Sequence, residues 1–274
     1  MRTGGGVGKP VGKAAGAETK IPGSDRGCGP GRISVIGLGP GLARHMTARA
    51  REALAEAEIV IGYKTYVNLV TPLLTHQRVE STGMKKEVER AERAVALARQ
   101  GHRVAVISSG DPGIYGMAGV VLEVLHREGA LPEVPVEIVP GVTAASAAAA
   151  LAGAPLMHDC AFISLSDLLT PRELILRRVV LAAQGDFVIA FYNPKSQGRP
   201  DLIHLVRELL LQHRKPETPV ALVRNAGREG ESLVLSNLAD FTREEIDMFT
   251  TVIVGNSQSY LAGPYFITPR GYRL

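Results

Sequence analysis

From Arg32 onward, short runs of β-branched and aliphatic residues alternate with longer amphipathic stretches. Residues 33–36, 59–61, 104–107 and Val136–Val139 read as strands, because each is short, mostly β-branched or aliphatic and closed by glycine, serine or proline. Between them, residues 47–58, 85–100 and Met117–Arg127 carry apolar positions at helical spacing. Thr47 stands where an N-cap belongs, and Gly101 and Gly129 act as stops. A small-residue helix follows over 143–151. Short loops joining alternating strands and helices predict a mainly parallel sheet covered on both faces.

Ala152-Gly153-Ala154-Pro155 interrupts that alternation and marks the expected boundary between two α/β domains, 32–152 and 153–274. In the second, strands are expected at 161–165, 187–191, Pro219–Arg224 and Thr250–Val254, with an extended stretch at 231–236. Helices are expected at 171–183 and 201–213, and a cap or short helix at 240–245. A mixed sheet fits this order better than a parallel one. Residues 1–31 are rich in glycine, lysine and proline and nearly devoid of large apolar side chains, a composition expected to stay disordered.

Composition narrows the class more than the function. With 274 residues, 45% of them hydrophobic, the chain buries a substantial core in one large or two modest domains. No apolar run reaches bilayer length. Cys28 and Cys160 lack metal-ligand spacing, so free thiols in a reducing cytoplasm are the expectation. The formal net charge of +4 suits an anionic small substrate, and no basic stripe interleaved with aromatics suggests nucleic acid. The seven histidines show no ligand spacing, so no protein metal site is expected. No Gly-x-Ser-x-Gly elbow supports a serine hydrolase.

The chemistry-bearing segments are loops at strand ends, where open α/β sheets bind ligands. Ser108-Ser109-Gly110-Asp111-Pro112-Gly113-Ile114-Tyr115-Gly116 follows the third expected strand and reads as a binding loop for a polar small molecule. Gly37-Leu38-Gly39-Pro40-Gly41 fails as a dinucleotide fingerprint: Leu42 replaces the third glycine and Pro40 removes an amide. In Pro140-Gly141-Val142-Thr143-Ala144, Thr143 either caps the next helix or flanks free amides that attract a carboxylate. Phe191-Tyr192-Asn193-Pro194-Lys195-Ser196 and Arg224-Asn225-Ala226-Gly227-Arg228 end two strands of the second half; a solvated loop is the alternative for each.

In the order GLGPG, GYKTY, SSGDPGIYG, VPGVTAASAAAA, FYNPKS and VRNAGREGE, the chain resembles the tetrapyrrole (corrin/porphyrin) methyltransferases over about residues 32–270. GYKTY, STGMKKE and FYNPKS point to the branch that methylates C17 of a precorrin-3-type macrocycle with ring contraction, on the cobalamin route. The resemblance implies two α/β domains with S-adenosylmethionine in the cleft between them, and a homodimer. It places Pro40, Ser109, Gly110, Asp111, Ile114 and Tyr115 at the cofactor, with Thr143 and Ala144 from the next helix entry. Tyr192, Asn193, Ala221, Asn225 and Ala226 follow from the second domain. Asp111 is expected to govern cofactor binding rather than stability. Many members carry Asp directly after GxGPG; Leu42 stands there, so a base at that place is excluded. By position the acid–base candidates are His45, Lys64 and Tyr66. Lys64, Lys85, Lys86, Lys195 and Arg199 are candidates for a basic cleft, each also readable as a solvated surface residue. The alternatives at this point are another tetrapyrrole carbon, a protein residue or ribosomal RNA as target, or cofactor binding without catalysis.

Overall fold

The computed structural model describes residues 31–41, 43–196, 198 and 201–273. The expected disorder of residues 1–30, with Cys28, and the readings placed on Leu42 and Arg199 lie outside these residues.

The first sheet forms from five strands: β1 (Arg32–Gly37), β2 (Ile59–Tyr63), β3 (Arg78–Thr82), β4 (Arg103–Ser108) and β5 (Val136–Val139). Their spatial order is β3-β2-β4-β1-β5, and every pairing is parallel. Four helices connect them: α1 (Ala48–Glu56), α2 (Lys64–Val70), α3 (Glu87–Arg99) and α4 (Met117–Arg127). Helices α3 and α4 bury an aliphatic stripe against one face, where Ala94, Val95, Val121 and Leu125 are fully enclosed. On the other face, α1 and α2 pack Ala50, Leu54 and Val70 over Ile36, Val60 and Ile107. Thr47 caps α1 as expected, its hydroxyl accepting the Ala50 amide at 3.1 Å.

Helix α3 begins at Glu87 rather than residue 85, because Lys85 has φ 62° and no right-handed turn passes through it. Strand β3 and helix α2 have no counterpart among the expected elements. Strand β3 lies at the sheet edge with Val79 exposed, so it needs no apolar run.

The second sheet contains β7 (Cys160–Ser164), β8 (Val188–Tyr192), β9 (Pro219–Arg224), β10 (Ser232–Asn237) and β11 (Thr250–Val254), in the order β10-β9-β11-β8-β7. Only β7 and β8 run parallel, which makes this sheet mixed. Helices α6 (Arg172–Gln184) and α7 (Leu202–Leu211) cover one face through Val179, Ile203 and Val206. A small third sheet joins β6 (Gly153–Ala154), β12 (Tyr260–Ala262) and β13 (Tyr265–Ile267). The expectation of two α/β units, one parallel and one mixed, matches this architecture.

Helix α5 (Ala144–Ala152) crosses between the units. It follows β5 of the first sheet, yet Ala145, Ala148, Ala149 and Ala152 pack on Val188, Ala190, Ala221, Val223 and Ile253 of the second. Alanines let the helix lie close to the strands. The break at 152–153 therefore follows the helix, while the change of packing partner falls before it, at 140–143.

Three strand ends of the first sheet meet through bare backbone. A Cβ at Gly37 would stand 2.7 Å from the Gly141 nitrogen and 2.8 Å from the Gly110 oxygen. One at Gly141 would collide with the same Gly110 oxygen and lie 2.9 Å from the Gly37 carbonyl carbon. Gly141→Ala should therefore lower the melting temperature by several degrees, since the obstacle is main chain and cannot rotate away; a Gly141→Ala protein melting within a degree of the parent would overturn this packing. Gly119, in α4 with nothing within 4 Å of its Cβ position, provides the contrast. Replacing it with alanine should raise stability by roughly 0.5–1 kcal/mol in a denaturant titration.

Candidate active site in the cleft between the sheets

The loops after β1, β4 and β5 form the floor of a cleft whose opposite wall comes from β8, β9 and β11. Gly39 and Gly110 exchange two backbone hydrogen bonds, Gly39 N to Gly110 O at 3.1 Å and Gly110 N to Gly39 O at 2.9 Å. That bridge holds the first two loops together. Asp111 ties in the third: its Oδ1 accepts the Gly113 amide at 2.8 Å and its Oδ2 the Gly141 amide at 3.0 Å. Both oxygens thus hold main chain, so Asp111 has a role in the unliganded fold that its strand-end position does not reveal.

Side chains from both units cross the cleft. Tyr115, with φ 53°, reaches from the β4 loop to the edge of the second sheet. There its hydroxyl donates to Phe162 O at 2.8 Å and accepts the Ser164 amide at 3.2 Å. Tyr192, at the end of β8, shares a 2.6 Å hydrogen bond with the Thr143 hydroxyl and accepts the Ala145 amide at 3.0 Å. Thr143 stands at the N-cap of α5 but makes no side-chain cap bond; a tyrosine from the other unit caps the helix instead. Burial raises the pKa of both phenols, so they stay protonated at neutral pH.

Arg228 crosses in the opposite direction. Its Nε donates to Pro40 O at 2.5 Å and its Nη2 to the Ser109 hydroxyl at 2.6 Å, with the guanidinium 5.9 Å from the centre of the Tyr66 ring.

The cavity enclosed this way is lined from the first unit by Pro40, Tyr66, Ser109, Gly110, Asp111, Ile114 and Tyr115, with Thr143 and Ala144 at the entry of α5. Tyr192, Asn193, Asn225, Ala226 and Arg228 line it from the second, with residues 248–251. All but one of the residues placed at the cofactor by sequence resemblance thus face one cavity. The exception is Ala221, which is fully buried within β9 beneath the α5 alanines.

The acid–base candidates separate. Tyr66 lines the cavity, and burial raises its pKa. His45 lies outside the lining, its Nδ1 enclosed without a hydrogen-bond partner beside the Gly227 turn. Lys64 is exposed at the start of α2. Of the other proposed cleft cations, Lys85 is exposed and Lys86 is paired with Glu89 at 2.6 Å. Lys195 is partly buried beyond β8. Arg228 and residues 248–251 carried no role in the sequence reading. Arg228 was visible there only as one charge in a polar strand-end cluster, and Met248 and Phe249 as the approach to an apolar strand.

This cavity fits a ligand with an amino-acid end and a heteroaromatic ring. The glycine-lined β4 loop and the main chain at Thr143 and Ala144 offer polar groups to a carboxylate and an ammonium. Met248, Phe249 and Ala226 offer apolar surface beside the amides of Asn193 and Asn225. Among the described residues no cluster of three His, Cys, Asp or Glu side chains is arranged to hold a metal ion.

Comparison with known proteins bears on the same segment. The chain is 54% identical over 245 residues to "Cobalt-factor III methyltransferase" of Priestia megaterium, covering 89% of this chain but only 45% of that longer protein. It is 51% identical over 242 residues to "Probable cobalt-factor III C(17)-methyltransferase" of Salmonella typhimurium (strain LT2), covering 88% of this chain and 100% of that one. The crystal structure of the methyltransferase CobJ superposes with a TM-score of 0.84 at 40% identity, over 87% of this chain and 100% of that chain. A uroporphyrin-III C-methyltransferase from Thermus thermophilus, complexed with S-adenosylhomocysteine, superposes at 0.63 with 26% identity, over 82% and 92%. The family model for tetrapyrrole (corrin/porphyrin) methylases matches residues 32–242, a span that holds both sheets' cleft-forming loops up to β10, and the chain belongs to that family.

Proposed function

We propose that this protein methylates C17 of a precorrin-3-type tetrapyrrole, coupled to ring contraction, in cobalamin biosynthesis, and that its substrate carries cobalt. The observation that carries this reading is the cavity in which loops of both sheets converge, in a chain 51% identical along the whole of a relative named for that reaction. The preference for a cobalt-containing macrocycle rests on the names of the two relatives above 50% identity.

S-adenosylmethionine, when bound, supplies an electrophilic methyl group on a sulfonium. The protein's part is binding and alignment. The β4 loop and the entry of α5 hold the amino-acid end, while Ala226, Asn225 and Met248 flank the ring. In-line substitution at the methyl carbon, with the C–S bond breaking as the tetrapyrrole carbon bonds to the methyl group, needs no protein nucleophile, and alignment alone is worth roughly 7–11 kcal/mol when the reacting atoms sit about 3–3.5 Å apart. Tyr66 is the candidate for moving a proton during ring contraction. Its burial keeps the phenol protonated, so it serves as a donor rather than a base.

The reading includes a homodimer, for which the exposed Tyr260, Leu261 and Tyr265 of the β12–β13 hairpin supply apolar contact surface. It also includes the reducing cytoplasm, where the exposed Cys160 thiol stays free.

Calorimetry with S-adenosylhomocysteine should give binding well below ~100 μM, equivalent to more than about 5.5 kcal/mol. Absence of heat at that concentration would remove the cofactor from the reading. Anaerobic assays that pair cobalt-precorrin-3 with metal-free precorrin-3B should favour the cobalt form; equal or reversed turnover would confine the proposal to the methyl transfer. Asp111→Ala should weaken S-adenosylhomocysteine at least about tenfold and also lower the unliganded stability by about 1–3 kcal/mol, because both carboxylate oxygens hold backbone amides. Loss of stability with unchanged affinity would leave Asp111 a structural residue only.

A further inference from the structure

Arg228 is a half-buried cation on the cavity wall whose charge is unanswered. Other enclosed arginines meet acids: Arg90 pairs with Glu87, Arg49 with Glu137 and Glu56, and Arg224 with Asp247 and Glu245. Arg214 differs again, being spent on the carbonyls of Gly255 and Phe187 inside the second unit. The partners of Arg228 are neutral: the Pro40 carbonyl, the Ser109 hydroxyl and the Tyr66 ring. Among the described residues no carboxylate lies within ion-pair distance of it. Burial depresses its pKa, and only the neighbouring Tyr66 phenol works against that effect.

The turn that carries Arg228 is built to keep acids away from it. Asn225 and Gly227 adopt φ 51° and 68°, and the Arg228 amide donates to Asn225 O at 2.8 Å. Glu231, four residues from Gly227, accepts the Gly227 amide at 2.6 Å instead of approaching the guanidinium. The arginine is thus aimed across the cleft on a fixed turn, with Nε and Nη2 directed to the first unit and Nη1 without a hydrogen bond among the described residues. A guanidinium with free donors and no counter-ion is a ready receptor for a carboxylate. The amino-acid end of the methyl donor is assigned above to the β4 loop and the entry of α5. Arg228 instead shares its stretch of wall with Tyr66, at the base of the helix that begins with the exposed Lys64.

We propose that Arg228 receives a peripheral carboxylate of the tetrapyrrole substrate and thereby positions the macrocycle against the methyl donor. This rests on the functional reading above and adds the residue that sets substrate orientation. A pure latch between the two units would need only the bonds to Pro40 and Ser109, so the two roles separate experimentally.

The test compares the full-length parent, Arg228→Lys and Arg228→Met. Unliganded melting reports folding, calorimetry reports S-adenosylhomocysteine, and visible absorption reports anaerobic titration with cobalt-precorrin-3 or its carboxylate-esterified form. Arg228→Met should lose about 30-fold or more for the free-acid macrocycle, the scale of a charge-assisted pair, with a loss at least about tenfold smaller for S-adenosylhomocysteine. The esterified macrocycle should not distinguish parent from Arg228→Met. Arg228→Lys should fall between, since an ammonium keeps the charge but not the planar fork. If Arg228→Met fails to fold, Arg228→Lys decides the matter by a loss of about 5–10-fold confined to the free-acid macrocycle. Equal losses for both ligands, or unchanged macrocycle affinity, would overturn the proposal. A parent protein that binds S-adenosylhomocysteine but no tetrapyrrole would instead overturn the substrate reading on which it stands.

Discussion

The close approach of three main-chain segments at the ends of β1, β4 and β5 is the constraint on which the cleft depends. Gly37, Gly110 and Gly141 touch where a methyl group on either Gly37 or Gly141 would collide with peptide atoms. Neighbouring strands lie about 4.8 Å apart, so loops leaving adjacent ends ordinarily splay to make room for side chains. Here they converge. That convergence permits the Gly39–Gly110 bridge, brings the Gly141 amide within reach of Asp111, and leaves peptide groups as the floor of the cavity. A floor of backbone presents fixed dipoles that need no rotamer ordering when a ligand arrives.

The wall opposite is held by different means. Tyr115, Tyr192 and Arg228 each reach across with one or two hydrogen bonds. At a net of about 0.5–1.5 kcal/mol apiece, such bonds set geometry but do not by themselves fasten two sheets together. The stronger attachment is α5, whose four buried alanines lie on the second sheet while Gly141, just before it, is held by Asp111 of the first unit. Hydrogen bonds therefore tune the width of the cleft, and apolar burial decides that the cleft exists.

Legibility in the sequence followed burial. Strands β1, β4, β9 and β11 are buried along most of their length, and their largely apolar runs announce them. Edge strand β3, reading Arg-Val-Glu-Ser-Thr, packs on one neighbour and carries no such signal. The two-residue β6 is visible only once Phe266 is known to pair with Gly153. At the site, glycine and proline patterns marked the loops, because tight main-chain geometry restricts residue type. Arg228 and the 248–251 segment carry no local mark: an arginine in a turn or a Met-Phe pair before a strand gains meaning only from what lies across the cleft. The same blindness explains Asp111, whose second partner, Gly141, is thirty residues away. Thr143 shows it too, since the capping group is Tyr192 from another strand.

The passage of α5 from one sheet to the other bears on how the molecule comes apart. A chain severed at the glycine after α5 would leave the first half carrying a naked alanine face and the second with Val188, Ala221 and Ile253 stripped of their cover. Neither half is a self-sufficient folding unit, although each has its own sheet. Local opening of either sheet along α5 therefore exposes core belonging to the other. The binding cleft lies on that shared seam, so its integrity reports the folding of the entire described chain.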